Sequence, residues 1–270
     1  MKFRRTKDGT ALPVVGLGTW GIGGNGAAIR GRDDQYFRAI RAALDLGYRH
    51  IDTAERYASG HAEEIVGKAV KGIPREELFI TTKVAPIHLH RKSVINALEG
   101  SLRRLDMDYV DLYLIHWPNS SIPLYETFEA LTRLVLQGKV RHLGVSNFGL
   151  QDLKEAVKLC ETHIVTNQVP YGIDSRSCEV NGVLDFCRAN GILITAYSPI
   201  KNSDLETEIV KEIAKHYGVT PAQLAVAWVI AKDSIITIPK SANPAHLQEN
   251  IIAADIRLDP DDVKKLSNQK

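Results

Sequence analysis

Four side chains that can give or take a proton lie at or just beyond the ends of short apolar runs: Asp52, Tyr57, Lys83 and His116. Side chains of these types act as general acids and bases in enzymes. Taken singly, Asp52 could cap a helix, Lys83 could be a solvated charge and His116 a core histidine. Together these explanations weaken, because ionisable groups in apolar segments are rarely buried unless they are paired. A shared site is therefore the simpler prediction.

Eight short apolar runs, rich in β-branched residues, predict the strands that must position these groups. They are Val14–Trp20, His50–Ala54, Leu78–Val84, Tyr109–Trp117, His142–Ser146, Ile164–Val169, Ile192–Tyr197 and Ile235–Pro239. Helical patterns separate them, which indicates right-handed βαβ units and a parallel sheet. Seven of the eight runs carry polar or aromatic groups at the same end. In a barrel this carboxyl-terminal end is where the chemistry takes place.

The predicted fold class is α/β, a (β/α)8 TIM barrel that forms one domain over residues 1–270. Two extra helices, Glu206–Tyr217 and Ala222–Ala231, separate the seventh and eighth strands. Before the first strand, Phe3–Thr6 and Thr10–Leu12 flank Asp8-Gly9, a pattern typical of a β-hairpin. We expect this hairpin, within residues 1–13, to close the bottom of the barrel.

The segment from Gly16 to Gly21 matches G-x-G-x-x-G, the dinucleotide fingerprint of open sheets. That fingerprint needs a helix to begin at the turn, so that its N-terminus meets the pyrophosphate. Here the chain continues as Ile-Gly-Gly-Asn-Gly, which a helix does not tolerate. The sequence therefore predicts a flexible loop after the first strand.

Six motifs appear in order along the chain: I-D-T-A-E-x-Y, T-K-V, L-I-H-W-P, G-V-S-N-F, A-Y-S-P and I-P-K-S. In this combination the chain resembles the aldo-keto reductase family over nearly its whole length. The resemblance implies a (β/α)8 barrel, NADPH or NADH at its carboxyl-terminal mouth, and reversible reduction of carbonyl groups. It also implies a catalytic tetrad of Asp52, Tyr57, Lys83 and His116, in which Tyr57 gives the proton and Lys83 lowers the pKa of Tyr57.

The same resemblance implies a set of cofactor-binding residues that spans the chain. These are Gly18, Thr19, Trp20, Asp52, Ser146, Asn147, Gln168, Tyr197, Ser198, Pro199, Lys240, Ser241, His246, Glu249 and Asn250. Tyr197 would stack on the nicotinamide, and Lys240 with Ser241 would meet the 2′-phosphate of NADPH. Many family members have arginine where this chain has His246, and a neutral histidine offers phosphate one donor instead of a charged fork. NADPH is the expected cofactor, with NADH as the alternative.

The substrate site implied by the resemblance contains Trp20, Tyr57, His116 and Trp117. The connections after the fourth and seventh strands and the C-terminal tail are short. Short loops cannot wrap a substrate, so we expect an open pocket and broad specificity for small carbonyl compounds. Either tryptophan could instead belong to the core.

Composition limits the partners and the compartment. The net charge of +2 gives no reason to expect nucleic acid or an acidic membrane surface. The N-terminus has no apolar core of a signal peptide, and no stretch approaches the length of a membrane span. Three cysteines without C-x-x-C spacing are expected to be buried free thiols. We expect a cytoplasmic monomer without a metal, whose partner is a small carbonyl substrate.

Two other functions fit parts of the pattern. In a Schiff-base aldolase, Lys83 would attack a carbonyl, but this needs a neutral lysine, which Asp52 opposes. A nucleotide-sensing regulatory subunit could use the same barrel without turnover. The complete tetrad argues against this second alternative.

Overall fold

The computed structural model describes residues 2–200 and 205–268. Its strands are β1 (Phe3–Arg5), β2 (Ala11–Pro13), β3 (Leu17–Gly18), β4 (His50–Asp52), β5 (Phe79–Val84), β6 (Val110–Ile115), β7 (Val140–Ser146), β8 (Ile164–Pro170), β9 (Leu193–Tyr197) and β10 (Ile235–Thr237). Its α-helices are α1 (Asp33–Asp45), α2 (His61–Val70), α3 (Arg91–Leu105), α4 (Leu124–Leu136), α5 (Leu150–Leu159), α6 (Ser177–Val180), α7 (Val183–Asn190), α8 (Glu208–Tyr217), α9 (Pro221–Ile230), α10 (Pro244–Ile252) and α11 (Pro260–Ser267). Among the helices described, none is long and apolar enough to cross a membrane.

Strands β3 to β10 pair in chain order, each parallel to the next. The ring closes between the last strand and the segment that leads into β3. Val15 and Thr237 form a parallel bridge, and the amide of Gly16 donates to the carbonyl of Thr237 at 2.8 Å. The predicted eight-stranded (β/α)8 barrel is confirmed. The two extra helices predicted between the last two barrel strands are α8 and α9.

The N-terminal hairpin covers the bottom of the barrel, as predicted. Strands β1 and β2 pair antiparallel, and the turn between them places Gly9 at φ +87°, which favours glycine. Leu12 is fully buried in an apolar cluster with barrel residues such as Leu112, Leu193 and Ile236. This contact fixes the hairpin across the amino-terminal mouth and leaves the other mouth open.

The first barrel strand is shorter than its apolar run. Only Leu17–Gly18 is regular strand, although the Thr19 amide and hydroxyl still donate to the carbonyl of Asp52 on the neighbouring strand, at 3.0 and 2.9 Å. Gly21 then turns the chain at φ +82°, and α1 does not begin until Asp33. No helix therefore opens at the glycine-rich turn, which agrees with the rejection of the open-sheet dinucleotide fingerprint.

Two smaller expectations need correction. The one-turn helix α6 was not predicted, since four residues are too few to show a helical period. Cys178 and Cys187 are buried free thiols as expected, but Cys160 is only half-buried. Its position after the last turn of α5 leaves its thiol partly exposed, beside the hydroxyl of Thr162.

Candidate active site

Asp52 and Lys83 form a buried ion pair at the carboxyl-terminal mouth of the barrel. They lie on the adjacent strands β4 and β5, and Nζ of Lys83 is 2.5 Å from Oδ1 of Asp52. The ammonium also donates to the carbonyl of Thr53 at 2.8 Å, and Oδ2 of Asp52 accepts from Nε2 of Gln168 at 2.7 Å. Burial alone would lower the pKa of Lys83, but Asp52 and Tyr57 raise that pKa above its ordinary value. The lysine is therefore charged at neutral pH.

Tyr57 lies next to this ammonium, in the turn that follows β4. Nζ of Lys83 donates to the phenol oxygen at 3.3 Å and lies 4.9 Å from the ring centre. Burial raises the pKa of Tyr57 above that of a free phenol, and the charge of Lys83 acts in the opposite direction. The lowering expected from Lys83 is present, but burial outweighs it. The phenol therefore keeps its proton at neutral pH.

His116 follows β6 and faces Tyr57 across the site. The two rings meet edge to face, with centres 5.6 Å apart. Burial, together with the positive charges of Lys83 and Arg56, lowers the pKa of His116 to about 3. Its Nδ1 is buried, and no described residue hydrogen-bonds to it. An unpaired buried donor is costly, so we infer that the proton of the neutral ring lies on Nε2.

Hydroxyl and amide groups from β7, β8 and β9 form a second wall of the site. The hydroxyl of Ser146 donates to the carbonyl of Gln168 at 3.0 Å, and Nδ2 of Asn147 donates to Oγ of Ser146 at 2.9 Å. Asn147 also donates to the carbonyl of His116 at 3.1 Å, and the phenol of Tyr197 donates to Oδ1 of Asn147 at 2.9 Å. Asn147 has φ 61°, a conformation that asparagine tolerates better than most residues. The structure thus brings these four predicted residues together beside His116.

Lys240 lies at the far end of the site, just after β10. Its side chain is exposed and forms no ion pair with a described residue. A methyl group placed on Gly21 would lie 3.9 Å from Nζ of Lys240, and one on Gly18 would lie 3.7 Å from Cβ of Lys240. The glycine-rich loop after β3 therefore passes directly beside this free ammonium.

The remaining predicted residues at this end surround the start of α10. Ser241 is buried, and its hydroxyl accepts from the amide of Asn243 at 3.0 Å. Along the helix, His246 is exposed, Glu249 is half-exposed and Asn250 is buried. The exposed charge of Lys240 and the ring of His246 are thus available to an anion, whereas Asn250 is inside the protein.

Two exposed tryptophans line the mouth. Trp20 is 59% exposed and Trp117 is 47% exposed, so neither is part of the core. Ser198 follows β9 at φ 54° and is exposed, while Pro199 is buried. Part of the connection after β9, residues 201–204, lies outside the described residues, and the prediction that this loop is short and open stays a prediction there.

Comparison with known proteins assigns the chain to a family. The model of the Aldo/keto reductase family matches residues 14–269. The chain belongs to the aldo/keto reductase family. It is 40% identical to methylglyoxal reductase YeaE of Escherichia coli (strain K12), over 92% of this chain and 87% of that protein. It is 36% identical to methylglyoxal reductase DkgB of Salmonella typhi, over 93% and 90% of the two chains.

Solved structures of aldo/keto reductases have the same fold. The thermostable aldo-keto reductase Tm1743, solved with the inhibitor epalrestat, superposes with a TM-score of 0.96 at 44% identity and covers 99% of both chains. An aldo-keto reductase from Klebsiella pneumoniae, solved in complex with NADPH, superposes with a TM-score of 0.89 at 38% identity, over 98% of this chain and 93% of that one.

In this aldo/keto reductase, sequence reasoning missed the role of Glu55. Its largely buried carboxylate accepts from the amide of Ala85 at 2.5 Å and pairs with Nδ1 of His88 at 3.0 Å. These contacts attach the turn that carries Tyr57 to the end of β5, where Lys83 lies. The glutamate of the I-D-T-A-E-x-Y motif was a sequence signal for such a role. Its partners could not be identified from the sequence, because they depend on the register between β4 and β5.

Proposed function

We propose that this aldo/keto reductase reduces aldehydes and ketones to alcohols with NADPH, and that Tyr57 is the proton donor. The observation that carries the proposal is the position of the phenol. Its oxygen lies 3.3 Å from a buried ammonium that is paired with Asp52, and its ring faces the neutral ring of His116. This arrangement suits a reaction in which negative charge develops on an oxygen between Tyr57 and His116.

Each tetrad residue has a distinct task in this proposal. A bound nicotinamide supplies the hydride. Nε2 of His116 donates a hydrogen bond to the carbonyl oxygen and orients it. Tyr57 gives its proton to the oxygen as negative charge develops, and the ammonium of Lys83 stabilises the phenolate that remains. Asp52 keeps Lys83 charged and aimed at the phenol.

The donor groups around the mouth fit a dinucleotide. Ser146, Asn147 and Gln168 would hold the carboxamide of the nicotinamide, and the ring of Tyr197 would provide an apolar shelf. Gly18, Thr19, Trp20, Ser198 and Pro199 would line the path between the two ends, and Glu249 with Asn250 would lie toward the adenine.

The expected preference for NADPH over NADH depends on the residues around Lys240, at the far end of the site. Lys240, with Ser241 and His246, offers a free positive charge to a 2′-phosphate, and a relative at 38% identity was solved with NADPH. NADH remains the alternative, because His246 has no permanent charge. Location in the cytoplasm and a monomeric state stay predictions.

The substrates that fit best are small aldehydes and dicarbonyl compounds. Two similar proteins are named methylglyoxal reductases. The exposed rings of Trp20 and Trp117 offer apolar contact to such a substrate, and we expect the pocket that they line to be open. Little binding energy from remote groups is then available for discrimination, so we expect broad specificity and KM values toward the millimolar end.

The two alternative functions make separate demands. A Schiff-base aldolase needs a neutral Lys83, whereas the ammonium donates to Asp52, Thr53 and Tyr57. Borohydride with a carbonyl ligand should therefore trap no adduct on this lysine. A regulatory subunit would show no turnover, so oxidation of NADPH and NADH with a panel of aldehydes distinguishes it from a reductase.

Replacement of Tyr57 by phenylalanine tests the proposal. Loss of a general acid typically costs about 10²- to 10⁴-fold, so Tyr57→Phe should lower kcat by that factor and leave cofactor binding unchanged. The measurements are NADPH oxidation with an aldehyde and a fluorescence titration with NADPH. Tyr109→Phe is the matched control and should keep full activity, because Tyr109 lies just before β6 and thus at the opposite end of the barrel. A kcat near that of the wild type in Tyr57→Phe would remove this residue from the mechanism.

A further inference from the structure

One charged side chain beside the proposed proton donor lacks a partner in the part of the chain that the structure describes. The ammonium of Lys83 is neutralised by Asp52, and the ring of His116 is neutral. The carboxylate of Glu55, in the turn before Tyr57, accepts a hydrogen bond from the amide of Ala85 and contacts Nδ1 of His88. Arg56 stands between Glu55 and Tyr57, and its guanidinium, unlike the carboxylate of Glu55, has no partner among the described residues.

The side chain of Arg56 is exposed and free. Among the residues that the structure describes, none forms a hydrogen bond or an ion pair with its guanidinium. Its backbone is nevertheless fixed, because its carbonyl accepts from the amide of Ser59 at 3.4 Å in the turn that carries Tyr57. Consecutive Cα atoms are about 3.8 Å apart, so this side chain starts directly beside the proposed proton donor.

We propose that Arg56 is a specificity-determining residue that favours carbonyl substrates bearing a carboxylate a few bonds from the carbonyl carbon. The inference rests on the proposed function, because it concerns the substrate of the same site. The guanidinium group of arginine can bind both oxygens of a carboxylate at once through two parallel hydrogen bonds.

The electrostatics of His116 support a position of Arg56 within reach of the substrate. Besides burial, the positive charges of Lys83 and Arg56 lower the pKa of this imidazole. The charge of Arg56 therefore reaches the place where the carbonyl oxygen of a substrate would contact His116. The rings of Trp20 and Trp117 are uncharged, and the exposed ammonium of Lys240 lies at the far end of the site. The guanidinium of Arg56 is therefore the charge next to Tyr57 that can discriminate between an anionic and a neutral substrate.

The test compares two substrates that differ in one charge. They are 4-carboxybenzaldehyde and the methyl ester of the same acid, each assayed with saturating NADPH. The readout is the acid-to-ester ratio of kcat/KM in a variant relative to the wild type, because the different electrophilicity of the two aldehydes then cancels. Arg56→Gln should lower this ratio about tenfold through KM of the acid, with the ester within about twofold. Arg56→Lys should retain part of the preference, since it keeps the charge and loses the fork.

Arg103→Gln is the matched control for net charge. Arg103 is exposed near the carboxyl end of α3, which lies toward the opposite end of the barrel, and its loss should leave the ratio unchanged. Added salt should lower the wild-type ratio, because ions screen an exposed pair. Turnover of the ester with an unchanged ratio in Arg56→Gln would overturn the role of Arg56 and leave the proposed function intact. Absence of turnover with both aldehydes would overturn both.

Discussion

At the scale of single residues, the contacts of Lys83 determine what the site can do. An ammonium has three donors, and here they meet Asp52, the carbonyl of Thr53 and the phenol of Tyr57. A fully paired ammonium can remain charged inside the protein, whereas removal of one partner would leave a buried charge without compensation. Among the three acceptors, the phenol of Tyr57 is the one that also carries a proton to give. The pairing therefore favours proton transfer over attack by the lysine.

Substitution of Lys240 tests the predicted preference for NADPH over NADH. Lys240→Ala should weaken NADPH by about 1.5–3 kcal/mol, the scale of a hydrogen bond to a charged group, and leave NADH nearly unchanged. His246→Arg should tighten NADPH through a bidentate contact with phosphate. Fluorescence titrations with both cofactors measure these effects, with Lys154→Ala on the exposed face of α5 as the control. If Lys240→Ala weakened the binding of NADPH and NADH equally, the 2′-phosphate would bind elsewhere.

At the scale of elements, backbone strain is concentrated where the barrel strands end at the mouth. Positive φ angles occur after β4, at Ala58 and Ser59, after β7, at Asn147, and after β9, at Ser198. A further residue with positive φ, Asp106, lies at the end of α3. Such conformations cost about 1–3 kcal/mol each and persist where the surrounding structure holds them. Ser59 is held by a hydrogen bond from its hydroxyl to the carbonyl of Gly26, at 3.2 Å. Alanine and serine give no sequence signal for this conformation, so the shape of the turn after Tyr57 could not be predicted.

The close contact between α2 and α3 leads to a prediction about stability. A methyl group on Gly67 would lie 2.4 Å from the carbonyl oxygen of Leu105, which is backbone and cannot move aside cheaply. Gly67→Ala gains about 1 kcal/mol in helix propensity and loses about 1–3 kcal/mol through overpacking. At so short a distance the loss should prevail, so the free energy of unfolding should fall.

Urea denaturation at pH 7 measures this change, and Gly31→Ala is the control. A methyl group on Gly31 would meet no atom within 4 Å, so this variant should stay within about 0.5 kcal/mol of the wild type. If Gly67→Ala were as stable as the control, the two helices would have room to separate at this contact.

At the scale of the whole molecule, the barrel could be predicted because its buried parallel strands appear as short apolar runs between amphipathic helices. The meeting of Asp52, Tyr57, Lys83 and His116 at one mouth follows from that topology. The contacts of Gln168 with Asp52 and of Glu55 with Ala85 could not be predicted, since they depend on the register between strands. The same holds for the directions of the pKa shifts, which depend on burial.

Two neutral histidines inside the barrel should make the whole protein sensitive to acid. Burial and the charge of Lys83 lower the pKa of His50 to about 3, and His116 is lowered to about 3 as well. In the unfolded chain a histidine has a pKa of about 6.5. Below that value the unfolded chain binds protons that the folded protein does not, so stability falls as the pH falls from 6.5 toward 3. For His50, which is fully buried, this costs about 1.4 kcal/mol per pH unit, or about 2 kcal/mol at pH 5.

Substitution of His50 separates this effect from other causes of acid denaturation. In His50→Gln the side-chain amide can still reach the hydroxyl of Thr81, which His50 contacts at 3.0 Å, but it takes up no proton. The difference in unfolding free energy between pH 7 and pH 5 should therefore shrink by about 2 kcal/mol, whatever the variant loses at both pH values. His90→Gln, at an exposed position before α3, should keep the wild-type difference. Parallel curves for the wild type and His50→Gln would mean that His50 is protonated in the folded protein, and that the interior near β4 admits a second positive charge beside Lys83.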